Sequence, residues 1–458
     1  MIIDHGYIES LLEEAKRATK EDIEEVLNKA RKQAGLTHEE IVILLQATDK
    51  DQLKDIFNIA GEIKRKIYGN RIVIFAPLYL SDYCVNNCIY CGYRRDNKFK
   101  RRKLTKEEIQ EEVKLLEKMG HKRLALEFGE DPVNCDIDYV IDSIKAIYET
   151  HTENGAIRRV NINIAATTVG NYRKLKDSNI GTYILFQETY HKPTYDKMHP
   201  GSMKGDYDYH LTAFNRAMEA GIDDVGAGVL FGLYDYKFEV LALMLHNEYL
   251  EKQYGVGFHT ISVPRLKKAE GMELSLFPHI VTDDEFKKIV AILRLAVPFT
   301  GIILSTRETH EMRKEVIEYG VSQISAGSCT GVGGYKENEE GKNITQFQLS
   351  DNRKTFEVIK ELIDDGHVPS YCTACYRMGR TGDRFMQLAK SGQIHNVCGP
   401  NSFMTLLEYA LDYGDDELQN SVDNMINREM ENIEGEDIRE LLLEKLDRIK
   451  NGERDLYL

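Results

Sequence analysis

Eight short β-rich runs alternate with helical patterns between Arg71 and Ser325, and this alternation constrains the fold more than any other feature of the chain. The runs are Arg71–Ala76, Arg123–Phe128, Val160–Ala165, Thr182–Phe186, Val225–Leu230, Phe258–Val263, Ile302–Ser305 and Ser322–Ser325. Between them lie a Thr105-capped helix ending at Gly120 and helical stretches at Asp138–Tyr148, Tyr209–Ala220, Phe238–Tyr254, Asp284–Leu295 and Met312–Tyr319. Strands separated by helices pair in parallel, and eight of them close most economically into an α/β fold of the (β/α)8 TIM-barrel type. An open doubly wound sheet is the alternative. Residues 1–70 read as an extension of charged amphipathic helices, one opened by a capping box at Thr37–Glu40. The barrel is expected over residues 71–335, and residues 336–458 read as a helical C-terminal domain.

The formal net charge is −15, from 75 acids and 60 bases. Such a surface repels phosphate backbones, so no nucleic-acid partner is expected. The basic run Lys98–Lys103 reads as a solvated loop flanking a site. No stretch is apolar enough to span a membrane, and Met1–Lys20 lacks the apolar core of a secretory signal, so a cytoplasmic location is expected. Of eight cysteines, six fall into two sets of three. Odd-numbered sets are poor material for disulfides and in a reducing compartment more often bind metal.

Cys84-Val-Asn-Asn-Cys88-Ile-Tyr-Cys91 follows the first strand, at the barrel end where active sites sit. Three thiolates so close can hold three irons of a [4Fe–4S] cluster and leave the fourth iron open for chemistry. A zinc site needs four ligands, and the nearest histidine, His121, lies beyond a helix. The second set, Cys372-Thr-Ala-Cys375 and Cys398, suggests another cluster with one unfilled iron, although His395 could complete a zinc site. Cys135 and Cys329 stand alone and read as packed.

The Cys-x3-Cys-x2-Cys spacing with Tyr90 before the last cysteine resembles the radical S-adenosylmethionine (SAM) superfamily. That resemblance implies an open iron holding the methionyl end of the cofactor. It places cofactor contacts at Tyr90, at Gly129-Glu130-Asp131 after the second strand (Phe128 standing where the family has a glycine), and at Gln187-Glu188 after the fourth. Tyr83 and Tyr93 are candidates to stack on adenine or to wall the core. Gly226 and Gly228 either admit a ligand close to the backbone or serve barrel packing.

Two incomplete clusters, together with Phe258–Arg265, Leu304–Glu308, Asp206–His210 and Phe231–Tyr236, make the chain similar along essentially its whole length to the tyrosine lyases of [FeFe]-hydrogenase H-cluster maturation. The resemblance implies L-tyrosine as substrate, cleaved to p-cresol and dehydroglycine. The C-terminal cluster, bearing an additional "dangler" iron, would convert dehydroglycine to carbon monoxide and cyanide. Hydrogenase maturation proteins and a reductant such as ferredoxin or flavodoxin are the implied partners. His259 matches the position that ligates the extra iron. Arg307 is the candidate to grip the tyrosine carboxylate in a bidentate fork, with Arg265 as the alternative unless either merely pairs with Glu270 or Glu308. Ser262 and Ser328 are further pocket candidates. A thiamine-pathway tyrosine lyase, 2-iminoacetate synthase, is the close alternative, and a non-catalytic iron–sulfur carrier or a zinc-bound structural protein are the distant ones.

Overall fold

The computed structural model describes residues 2–269, 271–340 and 346–458. Eight parallel strands form a closed barrel: β1 (Arg71–Ser81), β2 (Arg123–Phe128), β3 (Arg159–Asn163), β4 (Tyr183–Glu188), β5 (Val225–Val229), β6 (Thr260–Ser262), β7 (Gly301–Leu304) and β8 (Gln323–Ser325). Each strand pairs with the next, and β8 returns to β1 through Val73 opposite Gln323, Ile74 opposite Ile324 and Phe75 opposite Ser325. That closing pair excludes the open doubly wound sheet. Among the described residues no helix is long and apolar enough to cross a membrane.

Strand β1 runs five residues beyond the expected Ala76, through Pro77. Val73 and Phe75 bond toward β8, so Pro77 faces that same side. The β8 ladder has ended by then, and Pro77 has no bond there to lose. Its carbonyl instead accepts the Tyr335 hydroxyl at 2.6 Å, while its neighbours continue along β2 to Ser81.

Helices surround the barrel, and their starts follow the sequence. Thr37, Thr105 and Thr282 each close a capping box with the glutamate three residues on. The N-terminal helix Lys50–Tyr68 packs on the barrel helices Asp283–Ala296 and His310–Tyr319, and its buried Lys64 donates to the Ile317 carbonyl. The expected helix Tyr209–Ala220 is two helices, Tyr207–Leu211 and Ala213–Glu219. They break at Thr212, whose hydroxyl bonds back to the Asp208 carbonyl at 2.7 Å.

The C-terminal segment is not only helical. A ninth strand, β9 (Val368–Ser370), pairs in parallel with the first three residues of β1, Arg71 opposite Val368 and Val73 opposite Ser370. A three-residue strand carries too little alternation to stand out in sequence. It sets the second cysteine group at the opposite end of the barrel from the first: Cys372 comes two residues after Ser370 and shares a cavity with Arg71 at the start of β1, and Cys84 follows the end of β1.

Candidate active site and a second thiol group

At the C-terminal end of the barrel, Cys84, Cys88 and Cys91 line one cavity with the inward side chains of the strands. The loop that carries them is pinned from several sides. Val85 N donates to Glu130 O at 2.8 Å, Ile89 N to Met198 O at 3.1 Å, and Asn87 N to the Ser202 hydroxyl at 2.8 Å. Gly129 is obligatory here, because a Cβ would lie 2.2 Å from the Tyr83 carbonyl oxygen. Burial pushes all three thiols up, Cys91 to about 11, so iron binding must displace their protons. Three buried sulfurs facing one cavity fit a cluster with an open iron.

Most of the residues expected from sequence meet in this cavity. Tyr90, Gly129, Glu130, Glu188, Ser262, Ser328 and Arg307 all line it, as does Tyr93. The Tyr90 hydroxyl lies 2.8 Å from His199 Nε2. Glu188 pairs with Lys204 at 2.7 Å. Burial works against the Lys204 charge, but Glu188 and Cys88 outweigh it and raise its pKa. The Ser328 hydroxyl is buried without a partner, available to a ligand.

Three expectations part from this geometry, and one open alternative closes. Gln187 does not line the cavity, although Ile184, Leu185, Phe186 and Glu188 on the same strand do; a register shift between Phe186 and Glu188 interrupts the regular alternation there. Asp131 is engaged in the turn after Glu130, its Oδ1 accepting from the Val133 and Asn134 amides at 2.9 Å each. Arg265 lies outside the cavity, forked onto Glu308 at 2.6–3.0 Å and paired with Asp283 at 2.6 Å. Glu270 lies outside the described residues. Gly226 and Gly228 serve packing: a Cβ on either would lie 2.5 Å from a neighbouring side chain, Thr260 for the first and the Phe186 ring for the second. Neither glycine lines the cavity.

Sequence reasoning missed several polar groups in the same cavity. Glu127 is half-buried, its carboxyl pushed up to about 8 by the surrounding protein, and it accepts from Asn163 Nδ2 at 2.8 Å. Asn86 holds Glu130 through its Nδ2 and receives the Lys204 amide on its Oδ1 at 3.0 Å. The Tyr79 hydroxyl donates to Gln346 at 2.9 Å. A signal was present: β2 and β3 place Glu127, Asn161 and Asn163 at alternate positions in otherwise apolar strands, which is where inward side chains stand.

Cys372, Cys375 and Cys398 line a second cavity at the start of the barrel strands, with His259, Asp224, Arg71, Arg123 and Arg380. Hydrogen bonding from Cys375 and the charge of Arg71 hold the Cys398 thiol below its ordinary range, against its burial. His259 Nδ1, Asp224 Oδ1, Arg123 Nε and Arg380 Nε are all buried there without partners. A donor set of three thiols beside unsatisfied imidazole, carboxylate and guanidinium atoms suits an iron–sulfur group with a small polar ligand. His395 is not part of it: its Nε2 sits 2.7 Å from the Lys66 carbonyl. Among the described residues no set of three or more His, Cys, Asp or Glu side chains is gathered closely enough to hold a single metal ion. Gln323, on β8, lines both cavities.

Comparison with known proteins agrees with this arrangement. Residues 78–245 match the Radical SAM superfamily, and residues 262–368 match the Biotin and Thiamin Synthesis associated domain. The chain is 30% identical over 353 residues to the 2-iminoacetate synthase of Salmonella typhimurium, covering 77% of this chain and 90% of that protein. Among solved structures it is similar to HydG, a maturase of the [FeFe]-hydrogenase, at 58% identity and a TM-score of 0.97 over the whole of both chains. It is also similar to HydG from Carboxydothermus hydrogenoformans, at 39% identity and a TM-score of 0.84, covering 96% of this chain and 97% of that one. The chain therefore belongs to the radical SAM superfamily and, within it, to the family of the [FeFe]-hydrogenase maturase HydG.

Proposed function

We propose that this protein cleaves the Cα–Cβ bond of L-tyrosine in the upper cavity, giving p-cresol and dehydroglycine, and converts the dehydroglycine to carbon monoxide and cyanide at the lower thiol group. The product would be an Fe(CO)2(CN) unit for hydrogenase maturation proteins. The observation that carries this reading is the placement of two thiol trios at opposite ends of one barrel, with Gln323 facing both cavities.

When bound, S-adenosylmethionine and a [4Fe–4S] cluster on Cys84, Cys88 and Cys91 supply a 5′-deoxyadenosyl radical at the upper site. The protein's own work is positioning. Arg307 receives the tyrosine carboxylate, and Ser262 and Ser328 supply hydroxyls at the same wall. Glu127, its carboxyl raised to about 8 by burial and held by Asn163, stands neutral near pH 7 and can donate a hydrogen bond to the substrate in the same cavity. Glu130 and Glu188 provide anionic contacts for the cofactor's amino end. At the lower site Cys372, Cys375 and Cys398 would hold a second cluster within residues 336–458, acting as an auxiliary domain. His259 would ligate the additional iron. Keeping two toxic diatomics inside one barrel keeps them on route.

The identity to 2-iminoacetate synthase supports one other reading, release of intact dehydroglycine. Anaerobic protein given tyrosine, S-adenosylmethionine and a reductant is expected to release carbon monoxide as well as p-cresol. Production of p-cresol with neither diatomic would favour the synthase, and absence of 5′-deoxyadenosine would favour a non-catalytic carrier.

A further inference from the structure

The loop after Cys91 concentrates charge of the opposite sign to the rest of the molecule. Between Arg94 and Lys103 stand seven basic residues and one acid, Asp96, in a chain of net charge −15. The loop is fastened to the cysteine segment itself: Arg94 N donates to Cys91 O at 3.2 Å and Arg95 N to Asn86 O at 2.7 Å. Several of its cations have structural duties. Arg101 binds the Asp82, Tyr93 and Arg94 carbonyls, Arg102 pairs with Glu108 and Glu337, and Lys103 sits over the Tyr139 ring. Lys98 and Lys100 do not: they are exposed and, among the described residues, make no ion pair. Exposed apolar side chains stand on the segments that brace the cysteine loop. Met203 is 57% exposed beside Ser202, and Val133 is 83% exposed in the turn after Glu130.

Spare cations with apolar neighbours suit a transient partner better than a permanent one. Small, wet electron-transfer encounters are steered by charge and finished by modest apolar contact. The acidic surface elsewhere would turn an anionic protein away from wrong approaches.

We propose that the Arg94–Lys103 loop with its exposed Lys98 and Lys100, together with the exposed Met203 and Val133 on the segments bracing the cysteine loop, is the docking surface for an acidic one-electron carrier protein. This rests on the reading of the upper thiol trio as a cluster site. One electron leaves the carrier and enters the cluster, the carrier being oxidised and the cluster reduced by one electron, with no atom transferred. Docking on this loop puts the carrier against the segment that bears Cys91.

The test compares the reconstituted protein with its K98E/K100E variant, using two electron sources: an acidic flavodoxin kept reduced by its reductase, and dithionite. Flavodoxin-driven 5′-deoxyadenosine formation is expected to fall by roughly tenfold in the variant and to lose most of its salt dependence. The dissociation constant for flavodoxin, read by titration without turnover, should weaken in step. The dithionite-driven rate should be unchanged. Equal loss with both sources would make the loop part of the cluster site, and no loss with flavodoxin would place docking elsewhere; either overturns the proposal. Wild-type protein that forms no 5′-deoxyadenosine with dithionite would instead overturn the reading of the site.

Discussion

The guanidinium carbon of Arg307 lies 3.4 Å from the centre of the Phe347 ring, and among the described residues Arg307 makes no ion pair. Arg265, beyond the end of the preceding strand β6, is forked onto Glu308. The contrast separates two arginines that look interchangeable in sequence. Burial lowers Arg307 from the usual arginine range without discharging it, while Tyr79, Glu188, Cys91 and Glu127 supply the compensating field. A cation held by a ring rather than by a carboxylate keeps its fork open for substrate. Arg307→Lys should therefore lower kcat/KM for tyrosine by about 10- to 100-fold, the worth of a charge-assisted bidentate bond, mostly through KM. S-adenosylmethionine binding should be unaffected. A fall in cofactor affinity of the same size would move Arg307 to the cofactor.

The two thiol groups are separated by the length of β1, which makes their functions separable. Cys372→Ser with Cys375→Ser should retain p-cresol formation and lose carbon monoxide. Iron content should fall to about four per chain, a single cluster. Joint loss of p-cresol and carbon monoxide in a folded variant would mean that the two ends do not work independently. Cys88→Ala should abolish both products.

The barrel and the first trio were legible because both are local. Alternation of strand and helix repeats eight times, and Cys84, Cys88 and Cys91 fall within a single loop. What failed was phase and partnership. Gln187 and Glu188 are adjacent in sequence, yet only Glu188 reaches the cavity, just past a register shift in β4. Arg265 and Arg307 differ through a partner 43 positions along the chain from Arg265. Asp131 looked like a cofactor ligand, yet its carboxylate closes its own turn. The position of the second trio depended on β9, whose three residues make sense only once paired with Arg71–Val73.

Glu239 offers a pH-dependent test away from both cavities. It is buried, accepts from the Thr189 hydroxyl and from the Tyr190 amide at 2.8 Å, and is pushed up to about 8 by burial. A carboxyl raised in the folded chain binds more protons there than in the unfolded chain, so its contribution to stability is present at low pH and lost as pH rises. The window runs from 4.5, the ordinary glutamate value, to about 8. Within it the expected slope is about 1.4 kcal/mol per pH unit for this one group. Glu239→Gln should flatten the decline in unfolding temperature across that range. An unchanged slope would show that Glu239 is ionised throughout.

Gln323 faces the cavities at both ends of the barrel. It pairs across from Val73 in β1 and from Ile303 in β7, and its amide lies where a Cβ on Gly301 would meet it at 2.8 Å. Because it lines both cavities, it is placed to test whether a small imine made at one end passes to the other by this route. Gln323→Phe should fill that space without touching either thiol trio. The expected result is undiminished p-cresol, a several-fold lower ratio of carbon monoxide to p-cresol, and glyoxylate in solution as stranded dehydroglycine hydrolyses. An unchanged ratio in a folded variant would mean that dehydroglycine travels by another path, and a parallel fall in both products would place Gln323 in the tyrosine site rather than between the two.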